Sequence, residues 1–61
     1  MYRVFFFGLT PGAEIPEFAF ADVSACSPGD AWASGEQMVG EPMDVRQTRV
    51  IIRAVCGVQP L

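Results

Sequence analysis

The tetrapeptide Ser27-Pro28-Gly29-Asp30 constrains the fold of this chain more than any other local feature. Serine is a favoured N-cap, proline is favoured at the first helical position, and an acid in the first turn complements the helix dipole. A helix is therefore predicted to begin here. Apolar residues then recur at helical spacing and place Trp32 and Met38 on one stripe, and Gly40 and Pro42 are predicted to end the helix.

Segments with strand character lie on both sides of this helix. Residues 2–9 are rich in aromatic and β-branched types and are too few for a helix, and residues 17–23 alternate so that Phe18 and Phe20 share one face. Between them, Pro11-Gly12 suits a type II turn, which predicts a hairpin. Residues 49–58 are predicted to form a third strand. Strict alternation puts Val50, Ile52, Ala54 and Cys56 on one of its faces and Arg49, Ile51, Arg53 and Val55 on the other.

Together these segments predict an α+β fold in the order ββαβ, with a small three-stranded sheet and one helix packed on one face, in a single domain spanning residues 1–61. The sheet residues expected beneath Trp32 and Met38 are Val4, Phe6, Phe18, Phe20, Val50 and Ile52. The opposite face would carry Arg3, Phe5, Phe7, Arg49, Ile51, Arg53 and Val55. Because one helix covers only one side, the second face is either partly hydrated or an interface.

Composition excludes most catalytic chemistry. The chain has no histidine, lysine or asparagine, which removes the usual general base, the commonest metal ligand and the Schiff-base amine. Glu14 and Glu17 flank Pro16, but a chain of 61 residues rarely builds the water-excluding cleft that a pair of catalytic carboxylates needs. The glycines form no phosphate-binding motif, and the acids lack calcium-loop spacing. We therefore expect a protein that is not an enzyme and has no cofactor and no metal.

The two cysteines, Cys26 and Cys56, have neither the spacing of a redox pair nor that of a zinc site. Reduced thiols packed as small apolar groups are the favoured interpretation, and a disulfide remains the alternative. No apolar segment approaches the ~20 residues of a membrane span, and the apolar run at residues 4–9 is short for a signal-peptide core. The expected location is the cytoplasm.

The order of charges along the chain is the strongest functional signal. The formal net charge is −3, and four arginines are too few for a nucleic-acid backbone to be the main partner. All seven acids form one block between Arg3 and Arg46: Glu14, Glu17, Asp22, Asp30, Glu36, Glu41 and Asp44. This block either serves solubility or forms an acidic surface that docks on a basic protein groove, where carboxylates replace phosphates. The residues predicted to bind the partner are Glu14, Glu17, Asp30, Glu36, Glu41 and Asp44.

In its small size, its acidity, its hairpin-helix-strand plan and its lack of catalytic groups, the chain resembles the anti-CRISPR inhibitors of phages and mobile elements. The features that carry this resemblance are the helix start at residues 27–30 and the acidic positions from Glu14 to Asp44. The resemblance implies a stoichiometric inhibitor that occupies a DNA-binding or subunit surface of a CRISPR surveillance complex in the bacterial host cell.

A second hypothesis gives the uncovered sheet face the main role. A structural or oligomerising module would bury Phe5, Phe7, Ile51 and Val55 in a homodimer or a larger assembly. In that case the acidic block is incidental.

Overall fold

The computed structural model of the protein describes residues 1–61 and contains five elements. They are β1 (Tyr2–Leu9), β2 (Pro16–Val23), α1 (Pro28–Glu36), β3 (Pro42–Val45) and β4 (Thr48–Pro60). The four strands form one open antiparallel sheet of order β2-β1-β4-β3, and α1 packs on the two central strands. The α+β class and the β1–β2 hairpin are confirmed, whereas the three-stranded sheet is wrong. No helix is both long enough and apolar enough to cross a membrane.

The strand absent from the sequence-based prediction is β3, which forms a tight hairpin with β4. Only Arg46 and Gln47 separate the two strands, and their φ angles are 51° and 67°. A two-residue hairpin loop of this kind needs positive φ at both positions, and Asn-Gly or Asp-Gly normally provides it. Because Arg-Gln lacks that signature, the sequence pattern does not distinguish the four residues of β3 from a loop.

Strand β4 departs from strict alternation at two places. Its pairing with β1 shifts register between Phe5 and Phe6 and again between Phe7 and Gly8, which leaves Cys56 and Arg53 as extra residues. An inserted residue in one strand turns the following side chains to the other face. Val55 is consequently buried on the helix side with 7% exposure and Ala54 is exposed, so the predicted faces of these two residues are wrong.

The predicted helix start is confirmed. The backbone N–H of Asp30 donates to Ser27 Oγ at 3.1 Å, and Pro28 occupies the first helical position. The helix ends at Glu36, before the predicted stop at Gly40, and residues 37–40 form turns in which Gly40 has a φ of 90°. The Cβ-free surface of Gly35 lets α1 approach the sheet closely, since a Cβ there would lie 2.6 Å from Val4 Cγ1.

The side of α1 that faces the sheet consists of small residues. Ala31 and Gly35 are buried, and Met38 packs against the core from the following turn. Residues at this i, i+4, i+7 spacing share one helix face, and Trp32 lies about 100° away from it. Trp32 is 40% exposed and its Nε1–H donates to Glu36 Oε1 at 2.8 Å, so its predicted place in the core is wrong, whereas that of Met38 is confirmed.

The core under α1 is formed by Val4, Phe6, Ala31, Ile52 and Val55. The β1–β2 register opposes Phe6 to Ala19 and Val4 to Ala21, so the small alanines of β2 point to the helix side. Phe18 and Phe20 consequently point to the other side, with 71% and 54% exposure. The prediction that these two rings pack under the helix is wrong, although they do share one face.

Candidate interaction surface

Four of the five phenylalanines lie on the sheet face that α1 does not cover, which we call the phenylalanine face. Phe5 opposes Phe20 with ring centroids 6.3 Å apart, and Phe7 opposes Phe18 at 6.0 Å in an edge-on arrangement. Tilted aromatic pairs at these distances contribute about 0.5–1.5 kcal/mol each beyond area burial. The pairs therefore fix an ordered apolar surface while two of its rings stay more than half exposed.

One end of this face carries a well-formed ion pair. Arg3 donates from Nε to Asp22 Oδ1 at 2.8 Å and from Nη2 to Oδ2 at 3.1 Å, and its guanidinium lies 4.2 Å from the Phe20 ring centroid. The hydrogen bond from Arg3 holds the pKa of the Asp22 carboxyl below its ordinary value of 3.8, and the same bond raises the pKa of Arg3. Both side chains are 35% exposed, so solvent screens the pair.

The other charged groups on this face belong to the β3–β4 hairpin. Asp44 opposes Arg49, and the Arg49 Nε lies 3.9 Å from Asp44 Oδ1, with both side chains largely exposed. By register, the face comprises Arg3, Phe5, Phe7, Leu9, Pro16, Phe18, Phe20, Asp22, Pro42, Asp44, Arg49, Ile51, Ala54, Gly57 and Gln59. Arg53 has no register partner, but it is exposed and follows the helix-side Ile52, so alternation places it on this face too, as predicted. Its three arginines and two aspartates leave no excess of negative charge on this face, so the acidic excess of the chain resides on the rest of the molecule.

The six acids predicted to bind a partner are distributed over several elements. Glu14 lies in the β1–β2 turn with a φ of 54°, and Glu17 lies in β2 on the helix side. Asp30 and Glu36 lie in the first and last turns of α1, and the remaining two follow: Glu41 before β3 and Asp44 within β3. Glu14 lies in the turn at the closed end of the β1–β2 hairpin, whereas Asp30 lies in α1, beyond the open end at Val23. Only Asp44 belongs to the phenylalanine face, where it lies beside Arg49.

Phe18 and Phe20 are the residues of this surface that sequence reasoning placed elsewhere. Their alternation correctly indicated one shared face, but periodicity does not say which face of a strand the core covers. The sequence did contain a signal for the correct face, namely the small size of Ala19 and Ala21, which alternate with the two phenylalanines. Small residues suit the face of a strand that lies close to a helix.

The structure contains no disulfide and no cluster of metal ligands. Cys26 and Cys56 are free thiols, as the favoured interpretation expected, but both are exposed, so the expectation that they pack as small apolar groups is wrong. Cys56 is exposed because it is one of the two extra residues of β4. No three acidic or cysteine side chains gather in an arrangement suited to a metal ion.

A cleft of about 360 Å³ lies between the two edge strands, and we call it the edge cleft. Its lining consists of Phe18, Ala19 and Phe20 from β2, Met43, Asp44 and Val45 from β3, and Arg46 from the following turn. Consecutive side chains of a strand point to opposite faces. A cleft lined by consecutive residues is therefore bounded by strand edges rather than by one sheet face.

Comparisons with known proteins found no matching family model, no matching curated protein and no matching solved structure.

Proposed function

We propose that this chain is a non-enzymatic interaction module that associates with a second copy of itself through the phenylalanine face. The observation that carries the proposal is the placement of Phe5, Phe7, Phe18 and Phe20 outside the core, in ordered pairs on the uncovered side of the sheet. Contiguous exposed apolar patches with a polar rim mark interaction sites in soluble proteins.

Charge favours a second copy as the occupant. A chain with a net charge of −3 repels its own copies overall, but the acidic excess lies off the phenylalanine face, where Arg3 pairs with Asp22 and Arg49 lies beside Asp44. Two such faces therefore meet without the repulsion that the acidic parts of the surface would cause. The ion pairs lie outside the aromatic cluster, in the rim position where polar groups of interfaces are normally found.

The area of the face sets the expected strength of the dimer. Three strands about 27 Å long and the shorter β3, spaced about 4.8 Å apart, span roughly 450 Å² per copy, or about 900 Å² for the pair. This lies at the lower limit of specific protein interfaces, so the dimer should be weak and dependent on concentration. An obligate dimer would need a face about twice as large.

An acidic surface that imitates nucleic-acid phosphates, as the resemblance to anti-CRISPR inhibitors implies, has less geometric support. Asp44 shares its face with Arg49, and the other predicted acids are divided among the β1–β2 turn, β2, α1 and the segment before β3. The observations therefore favour self-association over docking on a basic groove.

Sedimentation equilibrium between about 5 µM and 1 mM tests the proposal. We expect a monomer–dimer equilibrium that Ile51→Glu weakens at least about tenfold, because it introduces an unpaired charge into the apolar face. Ala33→Glu places the same charge on an exposed helix position and should leave the equilibrium unchanged. A chain that stays monomeric at 1 mM, or a dimer equally affected by both variants, would overturn the proposal.

A further inference from the structure

The edge cleft has the size and the lining of a small-molecule site. Its volume of about 360 Å³ lies near the lower end of the range of roughly 300–1,000 Å³ that such sites occupy. Five of its seven lining residues are apolar, and the two charged ones, Asp44 and Arg46, both belong to the β3–β4 hairpin. Apolar walls with a few polar groups are typical of sites that bind a ligand with one charged end and an apolar body.

Arg46 is the charged residue of this lining that has no counter-ion. Asp44 lies beside Arg49, whose Nε is 3.9 Å from Asp44 Oδ1, whereas Arg46 takes part in no ion pair and in no side-chain hydrogen bond. The hairpin therefore has two arginines around one aspartate, although the whole chain has a net charge of −3. Glu17, which precedes Phe18 in β2, does not line the cleft. The charge of the edge cleft consequently complements an anion.

The wall of the edge cleft formed by β2 supplies aromatic surface. Phe18 is 71% exposed, and its ring contacts Phe7 in an edge-on pair that leaves it without a cation over its face. Phe20 is 54% exposed, and the Arg3 guanidinium covers one side of its ring at 4.2 Å. Aromatic rings prefer tilted or offset contacts with further rings. The apolar body that suits this wall is therefore an aromatic ring.

We propose that the edge cleft binds a small aromatic carboxylate, with its carboxylate on Arg46 and its ring against Phe18 and Phe20. A guanidinium is a planar fork that matches the two oxygens of a carboxylate. Phe18 and Phe20 also belong to the phenylalanine face, so the ligand competes with a second copy for the same rings. The binding of the ligand does not depend on the dimer, whereas this competition rests on the proposed function.

Titration of 2-naphthoate into the full chain, followed by backbone amide NMR, tests the site. We expect saturable shifts of the amides of residues 18–20 and 43–46. The neutral 2-naphthamide has nearly the same shape without the charge. It should bind about three- to fivefold more weakly, because it loses the ion pair with Arg46.

Three variants locate the charge that holds the ligand. Arg46→Gln should weaken the binding of 2-naphthoate about three- to fivefold and leave that of 2-naphthamide unchanged. Gln47, the next residue of the turn, already has a φ of 67°, so the turn accepts glutamine at a positive φ. Arg53→Gln is the matched control, because Arg53 also lacks a counter-ion but lies outside the cleft, and both affinities should stay unchanged. Asp44→Asn removes the carboxylate of the lining and should strengthen the binding of 2-naphthoate about twofold.

Sedimentation equilibrium in the presence of 2-naphthoate measures the competition with a second copy. At about three times its own dissociation constant, the ligand favours each free copy about fourfold, so the apparent dissociation constant of the dimer should rise about 16-fold. The same concentration added to the Arg46→Gln variant should raise the dissociation constant of its dimer only about two- to threefold, because less ligand is bound.

Several results would overturn the proposal. The absence of saturable binding, equal affinities for 2-naphthoate and 2-naphthamide, or equal effects of the Arg46 and Arg53 variants would refute the site. A dimer that saturating 2-naphthoate leaves intact would refute the competition. A chain that binds 2-naphthoate but stays monomeric would instead refute self-association and leave the site standing, so the failures of the two proposals are distinguishable.

Discussion

Replacing Gly35 with alanine should destabilise the protein, although alanine is the better helix former. In an exposed helix interior this change would stabilise by about 0.8–1 kcal/mol. At Gly35 the new Cβ would lie 2.6 Å from Val4 Cγ1, 3.0 Å from Val55 Cγ2 and 3.4 Å from Phe6 Cε1. The two valines are β-branched and held in the core, so they cannot rotate away, and α1 must shift off the sheet.

The expected change in the free energy of unfolding is the balance between the steric cost of the new Cβ and the gain in helix propensity. Overpacking a core by one methyl costs about 1–3 kcal/mol, and the short contact at Gly35 places this site near the upper end. After the gain in helix propensity is subtracted, the net loss is about 2 kcal/mol. A chain of this size has roughly 3–9 kcal/mol of stability, so the loss corresponds to a fall in Tm of about 8–16 °C.

Gly29 provides a matched control within the same helix. A Cβ there meets only Ser27 Oγ at 3.9 Å, an ordinary contact, and Gly29→Ala should leave Tm unchanged or raise it slightly. Thermal and urea unfolding of both variants, followed by far-ultraviolet circular dichroism, gives the comparison. If Gly35→Ala is as stable as Gly29→Ala, α1 does not approach the sheet as closely as the structure indicates.

Two further predictions concern a cap and an ion pair. Ser27→Ala should lower the free energy of unfolding by about 1 kcal/mol, because the Asp30 N–H loses its acceptor, whereas Ser27→Asp should retain most of it in urea unfolding. The Asp22 pKa lies below its ordinary value in the folded chain, so its stabilising contribution is present above pH 4 and disappears as the pH falls through the folded pKa. Carboxyl NMR titration should show that Arg3→Gln returns the Asp22 pKa towards 3.8, and an unchanged low value would contradict the assigned hydrogen bond.

The parts of the fold that sequence reasoning predicted are those fixed by local chemistry. Ser27, Pro28 and Asp30 determine a helix start through groups within one turn, and Pro11-Gly12 marks a turn in which Gly12 has a φ of 83°. Strand β3 lacked any such marker, because its hairpin turns through Arg46 and Gln47 with non-glycine positive φ angles.

Which face of a strand is buried, and how neighbouring strands are aligned, depend on tertiary packing, which no local sequence pattern encodes. The two register shifts in β4 exist only relative to β1, and they decide that Val55 rather than Ala54 joins the core. Likewise, Phe18 and Phe20 are as apolar as any core residue, and only the pairing of Ala19 with Phe6 shows that they point outward.

The order of the charged residues along the chain does not predict their arrangement on the sheet. All seven acids are contiguous among the charged residues, yet β1 pairs with β2 and β3 pairs with β4. The first pairing brings Asp22 from inside the block to Arg3 at its margin, and the second brings Asp44 to Arg49. Antiparallel pairing therefore brings together opposite charges that are far apart in the sequence, and it leaves the phenylalanine face without an acidic excess.

The division of apolar residues between core and surface links stability to association. Phe6 is the only phenylalanine in the core, which otherwise consists of Val4, Ala31, Val50, Ile52 and Val55. A core of this size stabilises a small domain only modestly. In the proposed dimer, the second copy would bind the folded state alone, so dimerisation would stabilise the fold by mass action. The rings that lie outside the monomer core would then supply the binding energy of the proposed pair.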